Sequence, residues 1–190
     1  MSSSKGTLRA AALARRDALG SEDRAAAALA IAAHGLPLDI KPGTVVAGYS
    51  PIRSEIDPGP LMRKLAAAGA RLALPVIVAR EQPLQFRLWS IDDKLQRGAL
   101  GIPEPSPDAA ETIPDILLVP LAAFDRAGHR IGYGAGHYDC TLGQLRAAKN
   151  IVAIGLAFAA QEIPDSAASA HDARLDLVLT EEQAIDFRSP

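Results

Sequence analysis

The hydrophobic pattern of this chain changes character near residue 42. Before it, residues 5–19 and 22–34 are rich in Ala, Leu, Arg and Glu, all good helix formers, and Gly20-Ser21 interrupts them. The pattern predicts two helices, with Ser21 as N-cap of the second and Gly35 ending it. Lys5 and Arg9 fall one turn apart, on one face of the first helix. After Lys41-Pro42-Gly43 the chain turns to short apolar runs: TVVAGY (44–49), RLALPVIV (71–78), LQFRLW (84–89), DILLVP (115–120), IVAIGLAF (151–158) and LDLVLT (175–180). Nearly continuous runs of this length suit strands covered on both faces.

Pro58-Gly59-Pro60 separates the first two runs and is followed by a helical stretch, LMRKLAAAG, that stops at Gly69. Strand, helix, strand within about 30 residues is a βαβ unit. Its recurrence predicts an α/β fold: a mostly parallel open sheet flanked by helices in three layers, with residues 1–190 as a single domain. Residues 98–114 are proline-rich and aperiodic, which predicts a surface connection.

Composition narrows the function. Hydrophobic residues at 48% and charged residues at 22% provide for a buried core and exclude a disordered chain. Twenty basic against 22 acidic side chains leave a net charge of -2, which removes the general attraction for nucleic acid or an anionic membrane. No run approaches the ~20 apolar residues that span a bilayer, and the N-terminal stretch lacks the apolar block of a secretory signal. A soluble, cytoplasmic protein without nucleic-acid or membrane partners is the expectation. One cysteine, Cys140, excludes an intrachain disulfide and a cysteine-rich zinc site.

Candidate chemistry concentrates in PLAAFDRAGHRIGYGAGHYDC, residues 120–140. Gly132, Gly134 and Gly136 alternate with larger residues, and such a run lets successive amides converge on a phosphate. A loop at the carboxyl end of a strand is also where an open α/β sheet places its ligand. Arg130 stands before the glycines as a phosphate partner, and Asp139 after them as a possible Mg²⁺ ligand. The spacing is neither G-x-G-x-x-G nor a P-loop, and a tight bend without function explains a glycine-rich turn equally well. In a chain with only four Phe, three Tyr and one Trp, two tyrosines beside these glycines, Tyr133 and Tyr138, are conspicuous.

The run RIGYGAGHYD resembles the R-[LI]-G-x-G-x-G-[YH]-Y-D signature of the 5-formyltetrahydrofolate cyclo-ligase family, also called 5,10-methenyltetrahydrofolate synthetases. Four more segments match that family in the same order: the K-x-x-L-R of Lys5 to Arg9, GYSPIRSEID (48–57), GIPEP (101–105) and HDARLDLVLT (171–180). The resemblance implies a Rossmann-like single domain that uses ATP and Mg²⁺ to close 5-formyltetrahydrofolate to 5,10-methenyltetrahydrofolate, releasing ADP and phosphate. It implies small-molecule substrates and a monomer or weak homodimer.

Residue by residue, the resemblance implies that Lys5, Arg9 and the loop Arg130, Ile131, Gly132, Tyr133, Gly134, Ala135, Gly136, His137 and Tyr138 bind ATP. Arg130 and Tyr138 would act in catalysis, with Arg130 stabilising the transferring phosphoryl group. Asp139 and Asp172 would hold Mg²⁺. Ser50 and Glu55 would contact the folate, with Glu55 accepting hydrogen bonds from the pterin. Trp89 is expected as an apolar wall for that ring, whereas Phe124 is read mainly as core.

His137 and Cys140 depart from the family's usual Tyr and Arg. His34, His129, His137 and His171 lack zinc spacing, and Cys140 beside His137 is not a dyad by sequence adjacency alone. Two other readings stay open: a noncatalytic nucleotide- or folate-binding homologue, and a sugar-phosphate isomerase or transferase of related fold.

Overall fold

The computed structural model describes residues 4–169 and 172–188. The first helix, α1 (Lys5–Asp17), is capped by Ser4, whose Oγ accepts from the Thr7 amide at 3.3 Å. In α2 (Ser21–His34) the expected cap is corrected: Gly20 is the N-cap and Ser21 is already helical. Glu22 and Asp23 in the first turn supply negative charge where the helix dipole favours it, so the start is stabilised without a side-chain cap. Gly35 ends this helix as expected.

The remaining elements are β1 (Val45–Ala47), α3 (Gly59–Ala67), β2 (Arg71–Val76), β3 (Gln85–Leu88), β4 (Gln96–Arg97), β5 (Pro103–Glu104), β6 (Ile116–Pro120), β7 (Ala123–Phe124), β8 (Arg130–Ile131), α4 (His137–Ala148), β9 (Val152–Leu156), β10 (Leu177–Leu179) and β11 (Ala184–Asp186). Among the described residues, seven strands form the central sheet in the order β11-β10-β9-β6-β1-β2-β3. The five inner strands are parallel, and only the edge strands β3 and β11 are antiparallel to their neighbours. The expected mostly parallel sheet is therefore present.

Side-chain alternation along the strands makes two cores. Ile116 and Leu118 of β6 pack with Ile31 of α2 and Leu61 and Leu65 of α3. Leu117 and Val119 face the other way, with Leu142 of α4. Each fully buried aliphatic side chain of this kind contributes about 1.5–3 kcal/mol. The apolar stripe of α4 is Tyr138, Leu142 and Leu145, at helical spacing.

Two short ribbons were not apparent in the hydrophobic pattern. β4 and β5 pair within the segment expected to be irregular, Gln96 opposite Glu104 and Arg97 opposite Pro103. β7 and β8 form a hairpin between β6 and the glycine run. The glycine loop thus leaves β8 rather than the long strand β6.

The sheet order positions the site. From β1 the chain crosses to β2 on one side, whereas β6 pairs on the other side of β1 and leads on to β9. The connections leaving the carboxyl ends of β1 and β6 therefore run to opposite faces of the sheet, α3 on one and α4 on the other, which opens a crevice between them. No helix among the described residues is long and apolar enough to cross a membrane.

Candidate active site

A cavity of about 390 Å³ occupies that crevice, bordered by Tyr49 beyond β1, Pro75 of β2 and Pro120 of β6. One wall is built from α1, the glycine loop and the start of α4. Lys5 and Arg9 reach it from one face of α1: the Lys5 ammonium pairs with the Asp172 carboxylate, and Arg9 Nε donates to the Gly132 carbonyl at 2.7 Å. Gly134 (φ +94°) and Gly136 (φ +69°) take left-handed conformations that L side chains rarely adopt. Gly136 is the N-cap of α4, so the loop delivers a helix N-terminus, with its unpaired amides and positive dipole end, to the cavity.

Arg130 is nearly inaccessible, with its side chain 3% exposed. Its Nη2 donates to Asp139 Oδ1 at 2.9 Å and its Nη1 to the Ala173 carbonyl. Burial pulls the guanidinium below its ordinary pKa, and Asp139 opposes that shift. The same Asp139 oxygen accepts from the Ala173 amide at 3.1 Å, so Asp139 lies beside the residue that follows Asp172. Burial raises the Asp172 carboxyl, but Lys5 and the bonds from Ser169 outweigh it and hold the group below its usual range. Two carboxylates thus share one corner of the cavity, each matched by a cation.

The opposite wall comes from the loop after β1 and the β4–β5 ribbon. Glu55 Oε2 accepts from the Ile52 amide at 2.8 Å. Burial raises the Glu55 carboxyl, although that amide, Tyr133, Arg16 and Arg53 pull the other way. Ser50 Oγ donates to the Pro103 carbonyl at 2.7 Å, joining loop to ribbon. Beside them Glu104 is 6% exposed, and its Oε1 accepts from the Ile77 amide at 3.1 Å. Gly98 backs onto this side chain so closely that a Cβ there would lie 2.0 Å from Glu104 Cδ. Tyr138 also lines the cavity, and burial followed by the Glu55 charge pushes its phenol well above the ordinary value. At neutral pH it is a proton-bearing donor and not a base.

The structure gathers around this one cavity Lys5, Arg9, Ser50, Glu55, the whole of Arg130 to Asp139, and Asp172. It does not bring Trp89 there. That indole packs against the core beside α2 and α3, and its Nε1 donates to the Asp93 carbonyl at 3.2 Å, because β3 runs antiparallel to β2: Leu84 at its start lines the cavity, whereas Trp89 past its end lies beside Leu72, at the amino end of β2. Phe124 is fully buried core. His137 Nδ1 carries a hydrogen to the Gln82 carbonyl at 3.0 Å, while Cys140 Sγ lies 3.8 Å from the Glu81 carbonyl, so the two do not form a dyad. His129 stands 3.6 Å from Asp125, His34 ends α2, and His171 lies outside the described residues.

One residue in the cavity lining and one behind it went unrecognised as individuals. Glu104 sits inside the GIPEP run, and its carboxyl type beside prolines was the available signal. Arg16 lies 7 residues beyond Arg9, two turns along the same face of α1, and is 2% exposed.

An open α/β sheet with its crevice at the strand-order reversal, a glycine loop opening a helix there, and carboxylates in the lining of the same cavity define the class of fold and site. The model of the 5-formyltetrahydrofolate cyclo-ligase family matches residues 1–181, and the chain belongs to that family. A 5-formyltetrahydrofolate cyclo-ligase of Mycolicibacterium smegmatis is 35% identical over 193 residues, covering 96% of both chains. One from Escherichia coli K12 is 37% identical over 102 residues, 51% of this chain and 56% of that protein. The NMR structure of Aquifex aeolicus 5,10-methenyltetrahydrofolate synthetase superposes with a TM-score of 0.80 at 28% identity, covering 98% of this chain and 94% of the other. A Mycoplasma pneumoniae 5,10-methenyltetrahydrofolate synthetase gives 0.72 at 25% identity, covering 94% and 99%.

Proposed function

We propose that this protein catalyses the ATP-dependent closure of 5-formyltetrahydrofolate to 5,10-methenyltetrahydrofolate, with release of ADP and phosphate. The observation that carries this reading is the two-walled cavity: cations and loop amides on one side, the Glu55 and Glu104 carboxylates on the other, in a chain of this family.

The formyl oxygen attacks the γ-phosphorus, and the bond to the β–γ bridging oxygen breaks to release ADP. This makes the formyl carbon an iminium-like phosphate ester. The N10 lone pair then attacks that carbon, and phosphate departs with the electrons of the former C–O bond and takes up the N10 proton. Little covalent work falls to the protein, which has to align the reactants and balance charge.

Lys5, Arg9 and the amides of residues 132–137 hold the polyphosphate. Arg130 steadies the loop and, with Lys5, offsets the charge of the transferring group. Tyr138 offers a hydrogen to the reacting oxygens. Glu55 and Glu104 accept from the amino and ring N–H groups of the pterin, with Ser50 at the rim. Asp139 and Asp172 suit Mg²⁺, which commonly takes one or two carboxylates and fills its sphere with water and phosphate oxygens. When bound there, Mg²⁺ would neutralise phosphate charge.

The test is to incubate purified protein with ATP, Mg²⁺ and 5-formyltetrahydrofolate while following ADP and the methenyl absorbance together. Equimolar ADP and methenyl product, both dependent on the folate, are expected. Absence of methenyl product at high enzyme concentration overturns the assignment.

A further inference from the structure

One face of α1 carries Lys5, Arg9, Ala12 and Arg16, spaced four, three and four residues apart, so all four turn toward the body of the protein. The first two enter the cavity and Ala12 is fully buried against Ala123 and Ile131. Arg16 does not line the cavity, yet it is the largest fully buried side chain among the described residues. Burying a guanidinium is costly unless its hydrogens are all well directed.

Its partners come from both walls. Arg16 Nε donates to Ser54 Oγ at 2.9 Å, and Nη1 donates to the Tyr133 hydroxyl oxygen at 2.5 Å. Ser54 in turn donates to Asp17, whose carboxylate lies 3.6 Å from Arg16 Nε. Ser54 immediately precedes Glu55, and Tyr133 stands between Gly132 and Gly134 in the glycine loop. A guanidinium only donates, so the Tyr133 oxygen must accept and its own hydrogen points onward. That hydrogen goes to the Leu121 carbonyl at 3.2 Å, with the Glu55 carboxylate alongside. Arg16 therefore closes a ring through the Glu55 loop and the glycine loop from behind the cavity.

We propose that Arg16 is a positioning residue that couples the two halves of the site, so that a ligand seated against Glu55 tightens the glycine loop for the nucleotide and the nucleotide tightens the Glu55 loop in return. This rests on the assignment of the two walls given above. A shift of the Glu55 loop moves Ser54, and the planar fork of Arg16 passes the displacement to Tyr133. Reciprocity is required: each ligand must raise the affinity of the other by the same factor.

Calorimetry tests this with a non-hydrolysable ATP analogue plus Mg²⁺ and with 5-formyltetrahydrofolate, each titrated alone and in the presence of the other. Wild-type affinity for each ligand is expected to rise about 5-fold or more when the other is bound. In Arg16→Lys and in Tyr133→Phe the mutual enhancement, taken as the ratio of one ligand's affinity with and without the other in the same variant, is expected to fall to near one. A purely structural arginine would lower stability and both separate affinities but leave the enhancement intact, and that result overturns the proposal. Tyr133→Phe removes the acceptor while leaving Arg16 and Ser54 in place, so a poorly folding Arg16 variant does not decide the matter. Wild-type protein that binds both ligands without enhancement overturns the coupling alone. Wild-type protein that does not bind the folate overturns the assignment of the Glu55 wall as well.

Discussion

Arg130 Nη2 lies 2.9 Å from the Asp139 carboxylate, and that same oxygen takes a 3.1 Å bond from the Ala173 amide. One ion pair thereby joins β8, the first turn of α4 and the segment beside Asp172. Arg130→Lys keeps the charge but loses the fork that serves Asp139 and the Ala173 carbonyl together. Turnover is expected to fall about 10²-fold or more, as for loss of a transition-state donor. Stability should drop by only about 1.5–3 kcal/mol, the worth of a charged hydrogen bond. Urea titration alongside steady-state kinetics checks this; unfolding extensive enough to explain the lost turnover would count against the chemical role.

The Glu55 carboxyl is raised above its ordinary value of 4.5 by burial. Protonation removes the charge and turns one Glu55 oxygen into a donor facing the pterin's N–H groups, so the KM for the folate should climb as pH falls through this raised value. In Glu55→Gln that acidic limb should vanish. The stability effect has the opposite sense. A folded-state pKa above the unfolded one contributes stability that is complete below 4.5 and is lost as pH rises through the folded value. Glu55→Gln should therefore be more stable relative to wild type at neutral pH than in acid, as measured by chemical denaturation at the two pH values.

Gly98 has no room for a side chain, since its Cβ would fall 2.0 Å from Glu104 Cδ. Gly98→Ala must push the Glu104 carboxylate out of place and break its bond to the Ile77 amide. Folate affinity is expected to drop about tenfold or more, in line with loss of a hydrogen bond to a charged group. Nucleotide affinity, measured separately with ADP, should stay within about twofold, because a rim substitution removed from a site is usually near neutral. Equal loss of both would place Glu104 in the general framework of the site and not in the folate subsite.

Lys5 and Asp172 pair directly at one wall of the cavity, with side chains 33% and 20% exposed. Asp172 keeps a lowered pKa because Lys5 and Ser169 outweigh its burial, so this group contributes stability above its ordinary 3.8 that is lost as pH falls through the lowered value. A pair this open is worth about 0.2–1 kcal/mol. In Asp172→Asn that acid-dependent component should disappear. Chelating Mg²⁺ should weaken ADP binding to wild-type protein more than to Asp172→Asn, since the variant leaves Lys5 free and lacks one carboxylate; equal sensitivity in a binding titration would remove Asp172 from the metal site.

The stripe on α1 illustrates how much of this site can be read in one dimension. Helical spacing puts Lys5, Arg9 and position 16 on one face, and that follows from 3.6 residues per turn alone. Arg15 and Arg16 are adjacent, however, and composition does not distinguish them. The docking of α1 against β7 and β8 sends Arg16 inward to Ser54 and Tyr133, while Arg15 stays at the surface and donates to the Ala160 carbonyl at 2.9 Å. Likewise the β4–β5 ribbon consists of paired two-residue strands, too short to leave a periodic trace, yet it carries Glu104 into the cavity.

Local regularities were decided within the sequence itself: the helices of the first 34 residues, the parallel strands of buried aliphatics, and a glycine loop whose left-handed turns at Gly134 and Gly136 suit little else. These depend on neighbours a few residues away. Which side chains meet was decided only when distant segments packed. Asp139 comes to lie beside the residue after Asp172 because β8, α4 and the 172–174 segment converge. Trp89 is drawn away because β3 runs antiparallel to β2 and ends at the amino ends of the parallel strands. Direction and distance across a site are set by sheet order and helix docking, which no local spacing encodes.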